Sequence, residues 1–224
     1  MIIVVGGRKG GVGKTTVAIN LSAELVRRGL DLVLVDTDRQ ESAYNWSQYR
    51  SEDEGLPTVN CVQLYDNVTK QLLDLDKRYG YVIVDSPGRD ALELRSSMLA
   101  ADVLIIPFRP SQMDLDTMQA MQEVIKDTLV YNPNLTIVGV STMASTNPVV
   151  NEVEEARRYL SEFPEIKMLD VVIHDRKIYR DSLIEGKGVV DMRNQKATDE
   201  IKTLVNITIG PPSAKEIKKG KGKK

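Results

Sequence analysis

The sequence predicts an α/β fold: a mostly parallel, twisted sheet of about seven strands with helices on both faces. Three observations predict it. Short runs rich in Val, Ile and Leu alternate along the whole chain with longer segments of helical periodicity. The runs are apolar almost without interruption, as in Ile2-Ile3-Val4-Val5 and Tyr81-Val82-Ile83-Val84, which is the mark of strands covered on both faces. A glycine-rich turn joins the first run to the first helix.

In order, the first strand occupies residues 2–6 and leads into Lys9-Gly10-Gly11-Val12-Gly13-Lys14-Thr15-Thr16. A helix over 14–28 follows, with Val17, Ala18, Leu21 and Leu25 on one face, Arg27 and Arg28 near its end and Gly29 as its stop. The second strand covers 32–36 and its helix about 42–49. The third strand, 59–64, contains Cys61, which reads as a core thiol, and a helix over 67–77 comes next. The remaining strands are expected at 81–85, 103–107, 136–141 and 168–173, and the remaining helices at 92–100, 115–130, 151–163, 177–185 and 196–204. No internal repeat interrupts the pattern. Residues 1–207 form one domain, and 208–224 a disordered lysine-rich tail.

Composition narrows the function. With 42% hydrophobic and 28% charged residues, the 224-residue chain is an ordinary globular protein. One cysteine excludes an intrachain disulfide and cannot supply a pair per subunit for a bridging iron–sulfur cluster. No signal-peptide pattern and no apolar run of membrane-spanning length is present, so the expectation is a cytoplasmic protein without membrane insertion. The net charge of −2 conceals an asymmetry: residues 215–224 carry six lysines against Glu216, leaving the body at about −7. Two readings of that tail stand, a solubilising extension or a basic arm for nucleic-acid phosphates.

The segment from Lys9 to Thr16 has the chemistry of a phosphate cradle. Glycines let backbone N–H groups turn inward, a helix N-terminus faces the anion, Lys14 reaches the outer phosphates and the Thr15 hydroxyl holds Mg²⁺. Such a string arises by chance with a probability on the order of 10⁻⁸ per start position. ATP and Mg²⁺ are therefore the expected cofactors. The common form of the motif has glycine where this chain has Arg8, and this chain adds a lysine, Lys9, before the double glycine. In open α/β sheets ligands gather at the carboxyl ends of strands. There the second strand ends in Asp36-Thr37-Asp38 and the fourth in Asp85-Ser86-Pro87-Gly88. An aspartate closing an apolar strand is costly without water, a cation or a donor, and Asp85 fits a water-mediated Mg²⁺ role beside Thr15.

With Lys9 in place, the chain resembles the deviant Walker A superfamily of P-loop ATPases, which includes ParA partition proteins and MinD, and it is most similar to the small ParA and ParF-type plasmid partition ATPases. Further stretches carry the resemblance: Gln40-Glu41-Ser42-Ala43-Tyr44-Asn45-Trp46, Ala101 through Pro107 with Pro110 and Ser111, and Arg176 through Gly188. It covers nearly all of residues 1–205.

The resemblance implies specific roles. Residues 10–16 (Gly10, Gly11, Val12, Gly13, Lys14, Thr15 and Thr16) and Lys9 bind ATP, with Lys9 reaching the partner's nucleotide in a face-to-face homodimer. Asp38 positions the attacking water, Asp36 helps order Mg²⁺, and Pro107 and Pro110 lie beside the adenine. The family proline after Asp38 is Arg39 here, which either contacts phosphate or points to solvent. The resemblance also implies ATP hydrolysis, DNA segregation by non-specific DNA binding on the nucleoid, and a centromere-binding adaptor that stimulates turnover. Arg176, Lys177, Arg180, Lys187 and Arg193 are the body's candidates for DNA contact. A MinD-like membrane helix is not implied, because Ile217 is the single large apolar residue of 211–224. Two alternatives remain at this point: a metabolic ATP-dependent ligase on the same fold, and a nucleotide-binding positioning protein with little turnover.

Overall fold

A computed structural model describes residues 1–147 and 151–211, with side chains described for all of these except 112–116. Seven strands form one sheet: β1 (Ile2–Val5), β2 (Leu32–Asp36), β3 (Asn60–Gln63), β4 (Tyr81–Asp85), β5 (Val103–Phe108), β6 (Thr136–Ala144) and β7 (Lys167–His174). Their order is β3-β2-β4-β1-β5-β6-β7, and every described pairing is parallel. The helices between them are α1 (Lys14–Arg27), α2 (Ser42–Ser51), α3 (Thr69–Asp76), α4 (Leu92–Ala100), α5 (Gln112–Tyr131), α6 (Glu152–Leu160), α7 (Lys177–Ile184) and α8 (Gln195–Ile209).

Alternate residues of each strand serve opposite layers. Ile3 and Val5 of β1 pack toward α1, α2, α7 and α8, whereas Ile2 and Val4 pack toward α3, α4, α5 and α6. Each fully buried aliphatic side chain contributes about 1.5–3 kcal/mol relative to an exposed one, so this two-sided burial is why the strands read as unbroken apolar runs. From β1 the chain builds outward in both directions, to β4, β2 and β3 on one side and to β5, β6 and β7 on the other. The crevice at the carboxyl end of β1 is thus the topological switch point.

Some boundaries move, each for a local reason. The helix expected over 67–77 begins at Thr69, because Asp66 adopts φ 66° and the Asn67 side chain accepts the Thr69 amide at 3.2 Å. Strand β6 runs to Ala144 rather than 141, which carries Thr142 and Met143 to the glycine-rich loop. A 3-10 turn, Val189–Asp191, stands in a stretch read as loop, since three residues are too short to show a period. The lysine-rich tail expected over 208–224 falls largely outside the described residues, which end at 211.

Candidate nucleotide site

The loop between β1 and α1 closes around its own lysine. Gly11 and Gly13 adopt φ 72° and 84°, a left-handed backbone that glycine takes without a Cβ penalty. Lys14 begins α1 and is 6% exposed, and its Nζ donates to the Lys9 carbonyl at 2.7 Å. Burial lowers the Lys14 pKa, against the opposing pull of Asp85 and Asp38. The loop after β4 seals one side: a Cβ on Gly88 would stand 2.7 Å from the Gly10 Cα and 3.0 Å from Lys14 Nζ. Together these elements border a cleft of about 270 Å³ lined by Gly11, Lys14, Thr15, Asp38, Ser86 and Gly88, among others.

Beneath the cleft, Thr15 Oγ1 donates to Asp85 Oδ2 at 2.7 Å. Asp85 pairs in register with Asp36 across β4 and β2, and both carboxylates are buried. Burial, aided by Asp36, pushes the Asp85 pKa up to about 8 despite the Thr15 hydrogen bond and Lys14. Its Oδ1 is buried without a hydrogen-bond partner among the described residues, and so is Ser86 Oγ. Such orphaned oxygens next to a threonine hydroxyl fit a magnesium ion. That ion keeps most of its shell as water and phosphate oxygen, and no described cluster of three His, Cys, Asp or Glu side chains offers it a protein cage.

Asp36 stands in register with Asp85 at the end of β2. Its Oδ1 accepts the Asp38 amide at 3.0 Å and its Oδ2 the Tyr44 amide at 2.9 Å, so it ties down the loop carrying Asp38. Burial raises its pKa while those backbone hydrogen bonds oppose the rise. Asp38 itself lines the cleft, with Oδ1 accepting the Gln40 amide at 3.1 Å. Of the two readings of Arg39, the structure selects the outward one: its guanidinium lies 4.8 Å from the Tyr65 ring centroid and 3.5 Å from Asp66.

Pro107 and Pro110 do not join the cradle cleft; Pro107 is buried in β5 and borders a narrow pocket with Lys9 and Val12 on the α5 side. A separate apolar cleft of about 70 Å³ opens from the other flank of Gly13, lined by Thr16, Val17, Met143, His174, Arg176 and Tyr179, among others. The basic residues also divide. Arg176 is bound to Glu200 at 2.7 Å and Arg180 to Asp175 at 2.7 Å, both at that apolar cleft. Lys177 pairs with Asp181 at 3.0 Å and Lys187 with Glu185 at 2.9 Å, and Lys177, Arg180 and Arg193 are all exposed. Four of the five have a carboxylate within hydrogen-bonding reach.

Four site residues escaped the sequence reading. Arg109 Nη2 donates to the Gly11 carbonyl at 2.7 Å, and the Thr142 hydroxyl lies 2.8 Å from the Val12 carbonyl. Gly88 and Met143 close the cleft. Arg109 could have been found from its place between Pro107 and Pro110; Thr142 and Met143 carry no local signal.

The comparisons agree with this geometry. The family model described as the CobQ/CobB/MinD/ParA nucleotide binding domain matches residues 3–189. The chain belongs to that family. Within it, the chain is 28% identical over 210 residues to the maintenance of carboxysome distribution protein A of Halothiobacillus neapolitanus, covering 92% of this chain and 95% of that one. Among solved structures it superposes on apo McdA of Cyanothece with a TM-score of 0.73 and 17% identity, over 93% and 99% of the two chains. It also matches MinD of Pyrococcus horikoshii, complexed with Mg-ADP, with a TM-score of 0.70 and 19% identity over 93% and 95%. These two likenesses establish the ParA/MinD fold. Among the described residues no helix is long and apolar enough to cross a membrane.

Proposed function

We propose that this ParA/MinD-family chain is an ATPase that works as an ATP-dependent homodimer on DNA. The observation that carries the reading is the Thr15–Asp85 hydrogen bond beneath a cradle that contains two lysines, Lys9 and Lys14. Lys14 and the amides of Gly10 to Thr16 hold the β- and γ-phosphates. Thr15 and Asp85 hold Mg²⁺, which when bound supplies charge neutralisation across those phosphates. Asp38, steadied by the amides that Asp36 binds, orients the attacking water; the work is positioning and electrostatics rather than covalent chemistry. Lys9 completes the site of a second subunit. The adenine occupies the apolar cleft at Thr16, Met143 and Tyr179, rather than the proline turn.

DNA contact in this reading is non-specific and needs cations that dimerisation brings together. Arg193 and the tail beyond 211 supply them better than the four paired residues. An adaptor protein accelerates hydrolysis and releases the dimer from the nucleoid. The cargo is a plasmid or other DNA element in the first reading. A second is favoured by the match to a carboxysome-distribution protein over 92% of the chain: the cargo is a protein body, and the adaptor binds that body instead of a centromere-like DNA site.

Light scattering and DNA retention with ATP, ADP and no nucleotide test the common core. Dimerisation and retention in ATP alone are expected; a protein that stays monomeric in ATP overturns it. The adaptor that stimulates turnover then separates the cargo readings, by whether it binds a specific DNA site.

A further inference from the structure

The base cleft contains the chain's single histidine, His174, at the end of β7. Its Nδ1 lies 2.8 Å from Glu200 Oε1 on α8. The same Glu200 oxygen accepts from Arg176 Nε at 3.0 Å and Nη2 at 2.7 Å, while Oε2 accepts from the Tyr179 hydroxyl at 2.8 Å. Three donors from the cleft wall therefore converge on one carboxylate. An ionised carboxylate can only accept. In its uncharged form, His174 facing such an oxygen carries its proton on Nδ1, and its Nε2 is then an acceptor.

We infer that His174, held in this tautomer by Glu200, is the specificity-determining residue for the base, accepting a hydrogen bond from the exocyclic amino group of adenine. The inference rests on the base occupying this cleft. A purine with a carbonyl oxygen at that position sets acceptor against acceptor, and the loss of a hydrogen bond inside an apolar cleft is a stronger discriminator than any difference in shape. Arg176 Nε and Nη2 and the Tyr179 hydroxyl are turned to Glu200, so these groups hold the carboxylate at the cleft wall. Glu200 acts through His174 and is a positioning residue.

The test uses the full chain with Mg²⁺ and two nucleotides, ATP and purine riboside triphosphate, which lacks only the amino group. Wild type should bind ATP about five- to tenfold more tightly, the effect of one net hydrogen bond. His174→Phe should lower ATP affinity to that of the deamino nucleotide while leaving the latter unchanged. His174→Gln, which restores an acceptor, should recover the preference and controls for folding. If His174→Phe weakens both nucleotides equally, the base is in the cleft but His174 does not read the amino group, and the inference fails. If neither nucleotide is affected, the placement of the base fails with it. A preference lost instead with 2′-deoxy-ATP in wild type alone, and not with the deamino nucleotide, assigns the acceptor to ribose and also overturns it.

Discussion

At the residue scale, Asp85 ties function to stability. Its pKa in the folded chain is raised to about 8, so between the ordinary carboxylate range and that value the folded state holds a proton that the unfolded chain has lost. Stability of the nucleotide-free protein should therefore fall as pH rises through that window. Asp85→Asn should remove this loss, giving a higher melting temperature at pH 8 and little change at pH 5, while abolishing the dependence of ATP binding on Mg²⁺. A variant that keeps full Mg²⁺ dependence would falsify the proposed role. Lys14→Ala should reduce nucleotide affinity below detection by calorimetry, because no other buried cation of the cradle donates within it. Asp38→Ala should leave ATP binding intact and trap the ATP dimer, with turnover lowered at least about a hundredfold as for a lost positioning group. Unchanged phosphate release would show that the water is oriented elsewhere.

At the scale of elements, α2 joins the Asp38 loop to the far end of the helical layer. The Trp46 Nε1 donates to the Lys187 carbonyl at 3.0 Å, and the fully buried Arg50 pairs with Asp191 at 2.8 Å and donates to the Pro57 carbonyl at 2.8 Å. The ring of Trp46 lies under the Arg50 guanidinium at 5.4 Å. An exposed helix end would tolerate any residue here. Because this pair is buried, Arg50→Met should cost about 3–5 kcal/mol in urea unfolding by leaving Asp191 with the Gly188 amide and the more exposed Arg27 as its partners. The double variant with Asp191→Leu should recover much of that loss. Nothing in Ser42–Ser51 as a string announces it: the period places Trp46 and Arg50 on one side, but the acceptor and the counter-ion come from a segment about 140 residues later.

At the scale of the whole molecule, charge and topology act together. A body near −7 repels DNA on average, so retention must come from local cations and should fall steeply with salt. Removing residues 212–224 should flatten the slope of log affinity against log salt; an unchanged slope would remove the tail from the interface. The parallel sheet with β1 at its centre brings the ends of β1, β2 and β4 to one crevice, which is why Lys14, Asp38 and Ser86 share a cleft with Asp85 beneath it, bound to Thr15.

What the sequence by itself determined is the part encoded in short periods and short strings. Two-sided apolar runs define the central strands, and the glycine–lysine–threonine string defines the cradle, because strand burial and phosphate binding are both local backbone chemistry. The nearness of Thr15 to Asp85 was also legible from the Mg²⁺ role expected of both, but their direct hydrogen bond was not. The tertiary structure alone decided that Asp36 binds the amides of the Asp38 loop, that Pro107 borders a different pocket from the cradle cleft, that four of the basic residues have carboxylate partners, and that Glu200 meets His174. Each of these depends on which distant group arrives within about 3 Å, and hydrogen-bond geometry at that range is set by packing rather than by neighbours in the chain.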